Sequence, residues 1–403
     1  MSARPATSWP RLLLLFTAAS FLEAALYGHV SAFAPLHLPR LGVLRDEVAR
    51  WTGLSVALST SVGIPFLPLW GALADRYARK PIIVRSFIAH ILACVTMALA
   101  GGLWVFIAGR AAMSFALGNS GLMMTTLSER APRERIGLAF SIMNGAAPVG
   151  AFVGPLLGGP IVDAWGFPSL LLLDAAFMLA VGVALAFGYR DPFTPSERGR
   201  ILTMAADSMR IIWRSPRLRA LFPALFVLFS GWMLAFIYVP LVTTALYRGG
   251  DPGAAVGLVM GAGGLGALVL SPVIGALADR FGHWRTLFVA AVAEVALWPL
   301  PAYAGTFGLF TLAWAVLNGV AAGVFAISFS VLSNSAPSHV RGRVMSFAYL
   351  PVTVGLLIGP SLGSVISTRS VFTVFPAAAV MTALGVGAMA VAARQNGGTR
   401  SKT

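Results

Sequence analysis

The strongest constraint on the fold is an internal repeat. The heptapeptide GALADRY begins at residue 71 and its near-copy GALADRF begins at residue 275, an offset of 204. A second pair, GAFVGPLLGG from residue 150 and GLLIGPSLGS from residue 355, is offset by 205. Near-constant offsets at separate landmarks indicate a duplicated unit. The chain is therefore predicted to fold as two similar halves.

The composition places both halves in a lipid bilayer. Of the 403 residues, 58% are hydrophobic and only 11% are charged, whereas soluble domains carry about 25% charged residues. Apolar runs of about 20 residues can cross a bilayer. The predicted spans are 12–36, 51–73, 81–101, 103–127, 138–162, 168–188, 218–246, 253–277, 286–304, 307–331, 344–367 and 372–393. We expect an all-α integral membrane protein with twelve transmembrane helices in two pseudo-symmetric six-helix bundles.

A polar stretch separates the sixth and seventh predicted spans. We expect residues 1–188 to form the first bundle, 189–217 a cytoplasmic linker, and 218–403 the second bundle with a short tail. Within the linker, residues 201–213 mix apolar and charged side chains in the pattern of an amphipathic helix. Such a helix would lie on the membrane surface.

The basic residues predict the orientation. The net charge of +15 is dispersed among short loops, which argues against a nucleic-acid interface. Placing both termini and the loops after even-numbered spans in the cytoplasm collects 23 of the 29 Lys and Arg on that side, as the positive-inside rule requires. We expect a multi-pass protein of the inner, cytoplasmic membrane with both termini in the cytoplasm.

The sequence argues against an enzyme. It contains no metal-ligand spacing and no Gly-Lys-Ser or Gly-Lys-Thr loop that would hold a phosphate, so no cofactor and no bound metal are expected. The single cysteine, Cys94, leaves no partner for an intrachain disulfide.

Two motifs carry a family resemblance. The loop GALADRYARKP from residue 71 resembles the signature loop of the major facilitator superfamily, and the fifth span resembles the glycine-proline motif of its proton-driven exporters. The order of these landmarks is similar to that of the twelve-helix drug and proton antiporter branch. The resemblance implies alternating-access export of small compounds in exchange for protons. It also implies that the first, fourth, seventh and tenth helices line a central cavity.

The signature loop has a physical interpretation. Asp75 lies at a predicted helix end, directly before basic residues, so its carboxylate can hold cations and a neighbouring helix terminus in one arrangement. The resemblance implies that this latch stabilises the state closed to the cytoplasm. The alternative is an incidental acid in a positively charged loop. The predicted latch residues are Gly71, Asp75, Arg76, Arg79, Lys80, Asp279 and Arg280.

The fifth span carries glycines at helical spacing. Gly150, Gly154 and Gly158 lie on one stripe, which lets a neighbouring helix approach closely. Pro155 removes a backbone donor, and Gly159 completes the predicted helix-packing motif. The same pattern in the eleventh span indicates structural use in both halves. The resemblance associates it with export rather than uptake.

Apart from Arg85, which belongs to the basic cluster at the start of the third span, three charged residues of the first half lie inside predicted spans: Glu23, Arg110 and Asp174. A charge near the bilayer centre costs at least about 2.5 kcal/mol. The positions 205 residues further along are apolar, so the duplicated scaffold does not need charge there. We therefore predict that these three residues serve proton coupling. Glu294 and His90 occupy matching positions in the two halves and are interpreted as scaffold.

Glu23 is the predicted proton carrier. It lies near mid-membrane by the rise of about 1.5 Å per helical residue, and the resemblance places Glu23 and Arg110 in the same aqueous cavity. Burial favours the protonated form of a carboxyl and a nearby guanidinium favours the charged form, so opening the cavity would change proton occupancy. The alternatives are a permanent Glu23–Arg110 ion pair and, for Asp174, a solvated helix end.

An apolar stripe follows the seventh span at steps of three and four residues. If the stripe faces the cavity, it suits lipophilic or cationic-lipophilic compounds through stacking and cation–π contacts. The alternative is that it faces lipid or the neighbouring bundle. The predicted cavity residues are Phe226, Phe229, Trp232, Met233, Phe236, Asn119 and Asn318.

Two other functions remain open. A proton-coupled uptake symporter for a small organic anion or metabolite would use Arg110 to bind a carboxylate. A membrane scaffold without transport activity would tolerate neutral residues at Glu23 and Arg110. For a transporter, the expected partners are a small-molecule substrate, protons and the lipid bilayer, with no nucleic acid, and the chain is expected to act as a monomer.

Overall fold

The structure is a computed structural model that describes residues 7–66, 79–116, 119–190, 209–336, 344 and 347–397. Within these residues the backbone forms helices, turns and short connections, and contains no β-strand. The helices of the first half are α1 (Trp9–His37), α2 (Val48–Gly63), α3 (Arg79–Ala98), α4 (Leu103–Ala112), α5 (Asn119–Arg130), α6 (Ile136–Trp165) and α7 (Phe167–Gly188).

The second half repeats this arrangement. Its first helix is capped by Ser215, whose hydroxyl accepts a hydrogen bond from the Leu218 amide at 3.4 Å. The helices of this half are α8 (Pro216–Phe236), α9 (Val239–Leu246), α10 (Pro252–Phe281), α11 (His283–Leu297), α12 (Pro299–Tyr303), α13 (Phe307–Ser335), α14 (Leu350–Ile366) and α15 (Val374–Gly397).

Nine segments of the described chain are long and apolar enough to cross a bilayer. The second, fourth and eleventh predicted spans are represented by shorter helices. The second continues from α2 into a 3-10 turn at Ile64–Phe66 and then leaves the described residues. The fourth consists of α4, a 3-10 turn at Met113–Ala116, and α5. In the described residues, the eleventh contains the 17-residue helix α14.

Two predicted spans of the second half are interrupted near prolines. The seventh divides into α8 and α9 at Ile237 and Tyr238, and Pro240 lies in the first turn of α9. The ninth divides at Trp298, directly before Pro299. Proline has no amide hydrogen and clashes with the preceding turn, so it is tolerated best where a helix begins.

The predicted linker is described only at its ends. The helix α7 ends at Gly188 and α8 begins at Pro216. Most of the predicted amphipathic helix lies outside the described residues, but residues 209–214 are helical.

The glycines of α6 bring this helix against α1. A methyl group on Gly154 would lie 2.9 Å from the Ala25 Cα, and one on Gly158 would lie 2.8 Å from the His29 ring. The second half uses the same device, because a methyl group on Gly355 of α14 would lie 3.2 Å from the Phe229 Cβ on α8. The repeated motif therefore corresponds to a repeated helix pair.

The two halves meet at the end of the bundle remote from Trp9. There the end of α6 packs on the start of α10, where a methyl group on Gly159 would lie 2.9 Å from the Ala254 Cα. The contact continues along both helices, because a methyl group on Gly264 would lie 2.7 Å from the Phe152 Cα. The first turns of α2 pack on the end of α14, where a methyl group on Gly53 would lie 2.9 Å from the Ser364 Cβ. The halves are therefore in close contact at this end.

Candidate functional site

Glu23 lies in a cluster of polar side chains from three helices of the first half. The Asn119 side-chain amide on α5 donates a hydrogen bond to the Glu23 carboxylate on α1, and it donates a second to the Ser86 hydroxyl on α3 at 2.9 Å. The Nδ1 atom of His90 lies 3.8 Å from Glu23 Oε1. The Glu23 side chain is 16% exposed. The carboxyl is therefore held by neutral groups, with a titratable imidazole close by.

The sequence of α1 explains which way this face points. Glu23, Tyr27 and Ser31 are four residues apart, so they lie on one stripe of the helix. Tyr27 is 51% exposed although it is in the middle of a helix long enough to cross a bilayer. Tyr27 and Ser31 both line a cavity, so the Glu23 face is directed towards that cavity.

The cavity lies between the two halves. It has a volume of about 80 Å³, which accommodates a few water molecules, whereas sites for drug-sized ligands occupy about 300–1,000 Å³. Helices α1, α2 and α4 line it from the first half, and α14 lines it from the second. The lining side chains that carry hydroxyl groups or charge are Tyr27, Ser31, Ser59, Thr60, Arg110, Ser114 and Thr353.

Arg110 is part of this cavity but does not pair with Glu23. Its guanidinium interacts electrostatically with Tyr27, one helical turn from Glu23. Among the described residues, no carboxylate lies within the 4.0 Å that defines an ion pair with Arg110. In this conformation, therefore, the structure does not contain the permanent Glu23–Arg110 ion pair that was the alternative hypothesis.

Asp174 is buried, and the interpretation of a solvated helix end is wrong. Its side chain is 8% exposed, and both carboxylate oxygens lie 2.9–3.0 Å from the Nδ1 atom of His29 on α1. This pair links α7 to α1. His29 also packs against Gly158 of α6, so three helices meet at one buried polar contact.

Sequence reasoning missed several members of the site. His90 was assigned to the scaffold, but its ring lies next to Glu23. Ser86 and His90 are four residues apart on α3 and so share one face, which was the available signal. Tyr27 and His29 carried a similar signal, because both lie within two turns of Glu23 in a predicted span.

The apolar stripe of α8 divides into two groups. Phe229 and Met233 are buried, and Phe229 packs against α14, so neither lines an open cavity. Phe226, Trp232 and Phe236 are partly exposed. The interpretation of the whole stripe as cavity lining is therefore wrong for the two buried residues.

The partly exposed aromatics of α8 continue onto α13. The ring of Trp232 lies 5.8 Å from those of Phe236 and Phe325, and the ring of Phe236 lies 5.9 Å from that of Trp314. The Trp232 indole donates a hydrogen bond to Asn318 Oδ1 at 3.3 Å. The second half therefore presents a chain of aromatic rings held in place by a buried amide.

Both predicted asparagines are buried, and each orients a neighbour. Asn318 donates a hydrogen bond to the Gly263 carbonyl at 2.9 Å while accepting one from Trp232. Asn119 is 4% exposed and serves Glu23. Their contacts with protein groups account for them without a ligand.

The predicted latch is only partly described. Gly71, Asp75 and Arg76 lie outside the described residues. Arg79, at the start of α3, forms a bidentate ion pair with Glu129 at the end of α5, with distances of 2.7 and 2.9 Å. The hydrogen bonds from Arg79 hold the pKa of Glu129 below its usual value.

The remaining predicted latch residues have local surroundings. Lys80 follows Arg79 in the first turn of α3. Asp279 lies 3.4 Å from the His283 ring, and the Arg280 guanidinium lies 5.3 Å from the centre of the Phe281 ring. The second copy of the signature thus makes these contacts locally, within the segment that joins α10 to α11.

Two similar helical halves, a polar cavity between them and ionisable groups within membrane-spanning helices define a multi-pass membrane transporter. The family comparison agrees with this class. The model of the Major Facilitator Superfamily matches residues 13–293 and 250–402. The chain belongs to the major facilitator superfamily.

Similar proteins fit this assignment. The multi-drug resistance efflux pump PmrA homolog of Lactococcus lactis is 26% identical over 372 residues, which cover 91% of each chain. The multidrug resistance protein MdtG of Yersinia enterocolitica is 26% identical over 393 residues, which cover 95% of this chain and 94% of that protein. The crystal structure of the nucleoside transporter NupG has the same fold, with a TM-score of 0.74 at 16% identity over 94% of this chain and 98% of that one.

Proposed function

We propose that the chain exports small lipophilic or cationic-lipophilic compounds in exchange for protons, with Glu23 as the proton carrier. In this proposal the chain is a monomer of the inner membrane, and both termini face the cytoplasm. The names of the similar efflux proteins support the direction of transport. The surroundings of Glu23 carry the coupling mechanism.

Glu23 has the surroundings that a reversible proton site needs. Its described hydrogen-bond partner is the neutral amide of Asn119, and no described Lys or Arg lies within ion-pair distance. A charged carboxylate at this depth costs at least about 2.5 kcal/mol, and a bound proton removes that cost. The side chain is 16% exposed, and in this proposal water reaches it from the cavity. Proton binding and release at Glu23 can therefore follow the opening of the cavity.

Arg110 provides a means of coupling proton and substrate. Arg110 shares the cavity with Tyr27 and interacts with it electrostatically, and Tyr27 lies one helical turn from Glu23 on α1. A cationic substrate in the cavity is repelled by Arg110 and attracted by an ionised Glu23, so substrate binding favours proton release. Proton binding in turn favours substrate release. This competition is the exchange that an antiporter requires.

The aromatic rings of the second half support the substrate class. Trp232, Phe236 and Phe325 present ring faces to an apolar or cationic group. Contact of a cation with an aromatic face contributes about 0.5–2 kcal/mol, depending on how far the cation is desolvated. Sugars or peptides need more hydrogen-bonding groups than this surface provides.

The test is efflux of a lipophilic cationic dye from proteoliposomes with an imposed pH gradient. Wild type is compared with Glu23→Gln, which keeps the shape and the hydrogen bond with Asn119 but cannot release a proton. We expect Glu23→Gln to lose gradient-driven efflux while retaining exchange of labelled for unlabelled dye, because exchange needs no net proton movement.

Glu294→Gln is the matched control. Glu294 is also a buried carboxyl in a membrane span, but it lies on α11 in the second half and does not line the cavity. It should retain gradient-driven efflux. Unchanged gradient-driven efflux in Glu23→Gln would remove Glu23 from the mechanism, and loss in both variants would show only that buried carboxyls are needed for folding.

One observation favours a second candidate function, the uptake of a small organic anion with protons. Arg110 has no described carboxylate partner, and hydroxyl groups of Ser31, Ser59 and Ser114 share its cavity. A substrate carboxylate would provide the missing counter-charge. Arg110→Lys keeps the charge but loses the bidentate geometry. Anion uptake that is abolished by Arg110→Lys and survives Glu23→Gln would favour this candidate.

A further inference from the structure

Helix α10 begins without a capping side chain of its own. Its N-cap residue is Asp251, a residue type that commonly caps helices, yet the Asp251 side chain makes no capping hydrogen bond. Pro252 follows and has no amide hydrogen. The first free amides of the helix therefore belong to Gly253 and Ala254, and they need an acceptor.

The acceptor comes from the other half of the molecule. Asp163, near the end of α6, accepts hydrogen bonds from the Gly253 amide at 2.8 Å and from the Ala254 amide at 2.6 Å, one on each carboxylate oxygen. These are the amides that an N-cap side chain normally satisfies. The negative charge also suits the positive end of the helix dipole. Asp163, in the first half, thus caps a helix of the second half.

The surrounding glycines allow this contact. A methyl group on Gly253 would lie 2.6 Å from Asp163 Oδ1 and 2.8 Å from the Gly159 carbonyl oxygen. A methyl group on Gly159 would lie 2.9 Å from the Ala254 Cα. The ends of α6 and α10 are therefore close enough for backbone contact, and Asp163 joins them at the surface of the bundle.

We propose that Asp163 is a gate residue of the transport cycle, which holds the end of the bundle remote from Trp9 closed. Its two hydrogen bonds join one half to the other, so they exist only while α6 and α10 touch. When the halves separate at this end, both hydrogen bonds break and the first amides of α10 become exposed to water. The inference rests on the alternating-access cycle of the proposed function. It does not depend on which substrate is transported or on which ion drives transport.

The proposed gate is the counterpart of the latch predicted from the sequence. Asp75 follows the second span and is predicted to act at the opposite end of the bundle, in the state that is closed to the cytoplasm. Asp163 follows the fifth span and acts in the described state, whose closed end is the other one. Each acid would therefore stabilise one of two alternating states by the same interaction between a carboxylate and a helix end.

The experiment measures the distance across this end. Spin labels are placed at Trp165→Cys on α6 and Gly250→Cys before α10, in a Cys94→Ala background of the full chain in lipid nanodiscs. Trp165 is 70% exposed, and no atom lies within 4 Å of a methyl group on Gly250, so both positions accept a label. Pulsed electron resonance then reports the ratio of short-distance to long-distance populations.

Asp163→Ala is expected to shift this ratio towards the long distance by about 2- to 30-fold, the range that loss of an N-cap side chain corresponds to. Asp163→Asn should shift it less, because the amide oxygen still accepts a hydrogen bond but the charge is lost. Asp251→Asn is the matched control. It removes a carboxylate two residues from Gly253 that makes no capping bond, so it should leave the ratio unchanged.

Gly253→Ala provides an independent test if Asp163→Ala folds poorly. The added methyl group collides with Asp163 and with the Gly159 carbonyl, so it should favour the long distance while leaving the carboxylate in place. An unchanged ratio in Asp163→Ala, or an equal shift in Asp251→Asn, would overturn the gate. Because this experiment measures a distance, the gate proposal is tested separately from the proposed proton coupling, which is tested by dye efflux in Glu23→Gln.

Discussion

The glycines of α6 allow one substitution to be compared at two positions of the same helix. A methyl group on Gly154 would meet α1 at 2.9 Å from the Ala25 Cα and 3.0 Å from the Ala25 Cβ. A methyl group on Gly145 would have no atom within 4 Å. Gly154→Ala and Gly145→Ala therefore make the same chemical change in opposite surroundings.

The two substitutions are expected to differ in sign. Alanine in a helix interior is more favourable than glycine by about 0.5–1 kcal/mol, and Gly145→Ala should gain this amount. At Gly154 the same gain is opposed by overpacking, which costs about 1–3 kcal/mol. The collision is with the backbone of α1, which cannot rotate away as a side chain can. Gly154→Ala should therefore lose up to about 2 kcal/mol net.

The assay is equilibrium unfolding of the detergent-solubilised chain with denaturant, followed by tryptophan fluorescence. The free energy of unfolding of each variant is compared with that of wild type. Dye efflux is measured in parallel, because α1 carries Glu23 and a displaced α1 should impair transport. If Gly154→Ala were as stable as Gly145→Ala, the close packing of α1 on α6 would be refuted.

Three further predictions concern the buried pair, the ion pair at the helix ends and the aromatic rings. In a double-mutant cycle on the free energy of unfolding, Asp174→Leu and His29→Leu are expected to show a coupling energy of about 1.5–3 kcal/mol, the value of a hydrogen bond to a charged group. Additive effects of the two substitutions on stability would contradict the buried contact. The Arg79 ion pair lowers the pKa of Glu129 from 4.5, so its stabilisation is complete above about pH 4.5 and is lost as the pH falls through the lowered pKa. Because the Glu129 side chain is 51% exposed, the difference in free energy of unfolding between wild type and Glu129→Gln should be at most about 1 kcal/mol at pH 7. This difference should shrink progressively as the pH falls below 4.5. A difference that does not change with pH would exclude the ion pair as its cause. Trp232→Leu should raise the KM for a cationic dye by about 2- to 30-fold, the equivalent of 0.5–2 kcal/mol of cation–π contact. The KM for a neutral lipophilic compound should change much less. Equal changes in KM for the two compounds would indicate that Trp232 contributes only apolar area.

Hydropathy and repetition were sufficient to predict the membrane class and the two similar halves, because both are properties of sequence segments. The family was predicted from the resemblance of the signature loop and the glycine-proline motif. The length of an apolar run decides whether it can cross a bilayer, whatever it packs against. The glycines at residues 150, 154 and 158 likewise predicted a close helix contact, since a stripe of small residues has this effect on any neighbour. The neighbour itself, α1, was not predictable from the stripe.

The partners of the charged residues depended on how the helices are rotated and placed. Each residue turns a helix by about 100°, so a small difference in rotation directs Glu23 to Asn119 and His90 instead of Arg110. The same holds for Asp174, whose partner His29 is 145 residues away in the chain. Hydropathy contains no information about such rotations.

Asp163 shows most clearly what the sequence alone does not determine. In the chain it is an ordinary acid at the end of an apolar run, with no counterpart in the signature motifs and no local pattern that marks it. Its importance appears only where α6 meets α10, because the amides that it caps belong to the other half. A local pattern can show that a helix begins at Pro252, but the packing of the two halves determines which side chain completes it.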